Sequence, residues 1–160
     1  MSLTIDPATP EDTTLILQFI RDLAEYERMR DRVVATEDDL RQWLFGPTPV
    51  AEVVIARVAG VPVGFALYFT VFSTFLGRPG IYLEDLFVRE TARGHGVGRA
   101  LLTHLARVAV QRGWGRVEWA VLDWNESAIG FYERLGAQML GDWRICRLTG
   151  DALKQLAEST

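Results

Sequence analysis

The stretch that most restricts the fold of this chain is RETARGHGVGRALL, residues 89–102. Just before it, PGIYLEDLFVRE has the β-branched and aromatic composition of a strand. After it, apolar residues at Val97, Leu101, Leu105, Val108 and Ala109 keep helical spacing up to Gly113, a residue suited to a helix C-terminus. RVEWAVLD then reads as a further strand, Asn125 to Leu135 as a helix ended by Gly136, and DWRICRLTG as a late strand before a final short helix. Strand, glycine loop, helix and strand in that order form a parallel crossover, which steric preference makes right-handed. The expected fold class is therefore α/β or α+β.

The preceding residues agree. LTIDPA reads as a first strand, and Thr9-Pro10 opens a helix whose apolar residues Leu15, Phe19, Leu23 and Tyr26 recur at helical spacing. Thr36-Glu37-Asp38-Asp39 has the form of a capping box and leads into a second helix that stops at Gly46-Pro47. PVAEVVIARVAGVPVGFALYFTVF reads as two strands joined by a turn at Ala59-Gly60. No repeat or linker interrupts the pattern, and 160 residues at 49% hydrophobic content suffice for one domain spanning 1–160. The formal charge of −4 argues against a nucleic-acid partner. One cysteine, Cys146, permits no internal disulfide and is expected to be an inert core thiol; with two histidines it makes a poor metal set, so no metal is expected. His95 is expected on the surface of its loop and His104 on the outer face of its helix. No secretory leader or membrane-spanning run is visible, so the expected location is cytoplasmic.

Three glycines that close together need a reason, because glycine is costly to order. A Walker loop would require a lysine that is absent here. A dinucleotide fingerprint would require a glycine where Arg99 stands, although Asp123 roughly supplies its acidic residue, so this alternative is weakened and not excluded. A plain turn without a ligand is also open. The pattern Arg93-x-x-Gly96-x-Gly98, directly after a strand and before a helix, suits a pyrophosphate best. Helix N-terminal N–H groups converge there, glycines let oxygens approach the main chain, and Arg93 and Arg99 add charge.

Together with WNESAIGFYERLGA downstream, this motif resembles the GNAT acyltransferase superfamily, and within it the spermidine/spermine (diamine) and thialysine acetyltransferases. IDPATPED, DLAEYERM, TEDDL, VGFALYF, YLEDLFV, RGHGVGRALL, WNESAIGFYERLGA and WRICRL carry the resemblance in order along nearly the whole chain. It implies a central mixed, mostly antiparallel sheet that splits into a V and is flanked by helices, with acetyl-CoA in the cleft. Pantetheine would pair with Leu86, Phe87 and Val88, and the pyrophosphate would sit on Arg93, Gly94, His95, Gly96, Val97, Gly98 and Arg99. Asn125 would touch the pantetheine arm, a role compatible with capping its helix. The resemblance also implies a homodimer formed by pairing or exchange of late strands, for which DWRICRLTG is suited.

Acetyl transfer to an amine needs a proton acceptor, a polarised carbonyl and a donor to the departing thiolate. By resemblance Glu84 is the water-mediated base and Asp85 contacts the amine, although a Glu-Asp pair on a strand also serves as an ion-paired edge. Adjacent strand residues are expected to face opposite sides, so only one would face a given cleft. Tyr132 is the expected thiolate acid, and the N–H near Phe87 the carbonyl donor. Tyr26 and Glu27 map onto the amine-binding segment. Two departures from the diamine enzymes reduce negative charge: FTVFSTFLGRPG lacks their aspartate and has Phe75 for their tryptophan, and LGDW is shortened. A small amine or lysine-like amino acid is then easier to accommodate than a long polyamine. The alternative function is a non-catalytic acyl-CoA sensor or interaction module, which retention of both Glu84 and Tyr132 disfavours.

Overall fold

The computed structural model describes residues 2–159. Its elements follow the expected order: β1 (Leu3–Pro7), α1 (Thr13–Tyr26), α2 (Glu37–Phe45), β2 (Glu52–Val58), β3 (Val61–Ser73), β4 (Arg78–Val88), α3 (Val97–Arg112), β5 (Val117–Trp119), α4 (Glu126–Arg134) and α5 (Gly150–Glu158). Pro10 starts a single 3-10 turn that runs into α1. The capping box at α2 forms as read: Asp39 N–H donates to Thr36 Oγ1 at 3.2 Å, and Thr36 N–H donates to Asp39 Oδ2 at 2.9 Å. Ala59 and Gly60 both take positive φ, the geometry of a tight hairpin turn that matches the twist of β2 and β3.

The five strands lie in sequence order, β1-β2-β3-β4-β5, antiparallel except for the parallel pair β4–β5 that α3 connects. This is the mixed, mostly antiparallel sheet expected. Ile16, Phe19 and Leu23 of α1 and Leu40 and Leu44 of α2 pack against Val53, Ile55, Phe65 and Phe87 of the sheet. Phe19 stacks on Phe65 with ring centroids 5.2 Å apart. Leu101, Leu105 and Ala109 of α3 are buried as their spacing implied.

Three expectations are corrected. RVEWAVLD pairs only over Val117–Trp119, opposite Ile81–Leu83. Beyond Leu83 the two strands part, and residues without a neighbour cannot hold a ladder. DWRICRLTG forms no strand among the described residues. Cys146 lies in that segment and is exposed, not part of a core.

The chain divides after Leu122 into two compact units. The first holds the sheet, α1, α2 and α3. The second holds α4 and α5, and all of residues 138–159 are exposed, with Trp143 and Ile145 each 76% accessible. No helix among the described residues is long and apolar enough to cross a membrane.

Candidate active site

The glycine loop joins the end of β4 to α3. Gly94 and Gly96 have φ of 80° and 81°, a region that side chains rarely adopt, so both are required by the turn itself. Gly98 is different. It lies inside α3, where glycine costs about 1 kcal/mol relative to alanine, and a Cβ there would meet nothing closer than 3.8 Å. The fold does not need that glycine, but a ligand approaching the main chain would. Gly96 caps α3 without a side-chain bond, so the first-turn N–H groups of α3 have no side-chain cap. His95 is exposed, as expected, and Val97 is buried and anchors the helix start. His104 is half-buried and not on an outer face; it lines a groove with Arg99, Arg107, Leu3 and Ile5.

β4 reaches this loop through Glu84–Val88, the stretch that β5 leaves uncovered. The register places Asp85 opposite Leu67 and Leu83 opposite Tyr68, so Glu84 is the extra residue of a β-bulge. A bulge interrupts strict alternation, so strand spacing alone does not fix which sides Glu84 and Asp85 face. Glu84 is exposed and Asp85 half-buried. Burial, then the charges of Glu84 and Glu27, push the Asp85 carboxyl up to about 7. Burial and Glu84 raise Glu27 as well. The three carboxylates therefore form one electrostatic cluster, which a cation would relieve. Nothing in the sequence signals the bulge, which contains neither glycine nor proline.

Arg93 occupies an unexpected position. Its Nε donates to Val88 O at 2.9 Å, and its guanidinium lies over the rings of Tyr26 (4.9 Å) and Phe87 (5.5 Å). The dinucleotide alternative loses its second feature here, because β5 ends at Trp119 and Asp123 is not at its terminus. Asn125 and Tyr132 lie in the second unit. Asn125 caps α4, its Oδ1 accepting from Ala128 N–H at 3.4 Å, and Tyr132 lies roughly two helical turns further on, its ring 5.5 Å from that of Phe131. Among the described residues no His, Cys, Asp and Glu cluster has a metal-holding arrangement.

The Acetyltransferase (GNAT) family matches residues 17–137. The thialysine N-epsilon-acetyltransferase of Bos taurus is 39% identical over 164 residues, covering 96% of this chain and 96% of its own length. The L-ornithine N5-acetyltransferase of Arabidopsis thaliana is 36% identical over 194 residues, covering 93% of this chain and 85% of that protein. An integron cassette protein from the mobile metagenome of V. cholerae shares the fold with a TM-score of 0.83 at 29% identity, over 99% of both chains.

Proposed function

This chain belongs to the GNAT acetyltransferase family and is an N-acetyltransferase, and we propose that it moves the acetyl group of acetyl-CoA directly to the primary amine of a small molecule within a ternary complex. The observation that carries this reading is the electrostatic cluster of Glu27, at the end of α1, with Glu84 and Asp85 on the bulged part of β4, the strand that leads into a glycine loop suited to phosphates. The cationic end of the acceptor relieves the repulsion among the three acids, which favours a short substrate with a terminal ammonium. Thialysine and ornithine, the substrates in the relatives' names, are of that kind. Diamines also fit, and long polyamines fit less well because the segment around Phe75 carries no acid.

Alkyl ammonium groups have pKa values of about 10, so the proton must be taken at the site. A carboxylate poised near neutrality accepts it well. Asp85, pushed up to about 7, is suited to that step, and Glu84, the bulge residue, to the water-mediated variant of it. The amine nitrogen then forms its bond to the thioester carbon, whose oxygen takes the N–H near Phe87. As the C–S bond breaks, Tyr132 gives its proton to the thiolate. Leu86, Phe87 and Val88 offer the uncovered strand edge to pantetheine. Gly94 to Arg99 receive the pyrophosphate, with Arg93 at the loop entrance and Asn125 on the pantetheine arm. The family match crosses the boundary at Leu122, which supports reading residues 1–160 as one GNAT domain. We take the working form to be a cytoplasmic homodimer, in which the exposed apolar side chains of residues 143–148 pair with a second copy.

Release of free CoA from acetyl-CoA, measured against thialysine, lysine, ornithine, diamines, polyamines and aminoglycosides, tests the reading. Saturable release with the short amines is expected, and Tyr132→Phe should slow it about 10²–10⁴-fold. No release with any amine would sink the proposed substrate class. An unchanged Tyr132→Phe rate would remove that residue from the chemistry.

A further inference from the structure

Arg93 opens the glycine loop, yet its side chain leaves the loop and runs back along β4. Its Nε donates to Val88 O at 2.9 Å, and its guanidinium lies over the rings of Tyr26 and Phe87. Tyr26 is the last residue of α1, and the backbone beyond it is closely determined. Glu27 N–H donates to Leu23 O at 2.9 Å, Arg28 takes a left-handed conformation with φ of 62°, and Met29 N–H donates to Ala24 O at 2.7 Å. Such a closure leaves the residues at the helix end little freedom. Glu27, one residue from the ring under Arg93, belongs to the carboxylate cluster. One side chain therefore spans the distance from the anion-binding loop to the helix end that presents an amine-binding acid.

We propose that Arg93 is a positioning residue that couples the two half-sites, so that filling the glycine loop with the phosphates of CoA fixes Arg93 on Tyr26 and thereby fixes Glu27 for the amine. The proposal rests on reading residues 93–99 as the phosphate cradle. Its physical basis is conformational. Phosphate oxygens on the loop N–H groups favour the left-handed forms of Gly94 and Gly96, which set the point from which the Arg93 side chain departs. The latched arrangement gains a cation–π contact, which corresponds to roughly a two- to thirty-fold bias. Linkage then requires that the amine tighten CoA binding by the same factor as CoA tightens amine binding.

Backbone hydrogen–deuterium exchange of the full chain, with and without saturating CoA, tests this. In the wild type, CoA should slow exchange at residues 94–99 and also, about three- to tenfold, at residues 24–29. In Tyr26→Leu, CoA should still protect 94–99 while 24–29 no longer respond; Tyr26→Phe keeps the ring and should behave as the wild type. Protection of 94–99 with no response at 24–29 in the wild type overturns the coupling and leaves the cradle intact. A response at 24–29 that survives Tyr26→Leu also overturns it. If CoA does not bind the wild type at all, the cradle reading falls and the coupling with it.

Discussion

Along β4, Arg78–Leu83 contains the residues that pair with β5 on one edge and β3 on the other, whereas Glu84–Val88 keeps β3 and loses β5. The first half is ordinary sheet interior, with Ile81 and Leu83 buried. The second half holds a bulge, two adjacent acids and an uncovered backbone edge, and it ends at the glycine loop. The β-forming residues Ile81, Tyr82 and Leu83 in one half and Leu86, Phe87 and Val88 in the other do not separate them. The end of β5 separates them. Where a neighbouring strand stops, unpaired N–H and C=O groups and incompletely covered side chains become available, and binding groups are useful there.

Substitutions in the two halves should therefore fail in different ways. The largest effect is expected from Asp85→Asn, which should lower kcat/KM about 10²–10⁴-fold. The wild-type kcat/KM profile should rise with pH and break near 7, and the variant should lack that break. Stability should move the other way. The folded carboxyl holds its proton more tightly than the unfolded one, so its contribution is full below about 4 and lost as pH rises through about 7. Denaturant titrations should then show Asp85→Asn more stable than wild type above pH 7, by between about 1 and 4 kcal/mol, with the two converging near pH 4. Loss of activity without either pH signature would place Asp85 outside proton transfer.

Ile81→Ala, in the covered half, should cost about 2–5 kcal/mol of stability, read from the urea midpoint, and leave the pH break near 7 in place. A shift of that break would mean that the two halves are not separable. The smallest and most discriminating change is Gly98→Ala. A Cβ there has ordinary room and the helix gains up to about 1 kcal/mol, so the melting temperature should rise. On the proposed reading, affinity for CoA should nonetheless fall about tenfold, measured by calorimetry, because a methyl group would stand in the path of the phosphate. Unchanged CoA affinity would make Gly98 a residue of no functional weight.

Local chemistry alone determined a large part of this molecule. Capping residues, helical spacing and β-branched runs place nearly every element, because each depends on contacts a few residues apart. The glycine stretch marks a loop between strand and helix for the same reason, and the order of motifs carries the family. Where the sequence misleads, the missing quantity is a partner. RVEWAVLD is as strand-forming after Trp119 as before it, and DWRICRLTG as strand-forming as β1, yet a ladder needs a paired neighbour, and only Val117–Trp119 forms one among the described residues. The regular spacing at Glu84-Asp85 is interrupted because the register of β3 against β4 slips by one residue between Leu67 and Tyr68. That slip, and the return of Arg93 onto Tyr26, are decided by how separate elements pack. Residue types named the chemistry available here; only the tertiary structure, through burial and mutual repulsion, made one aspartate among three acids titrate near neutrality.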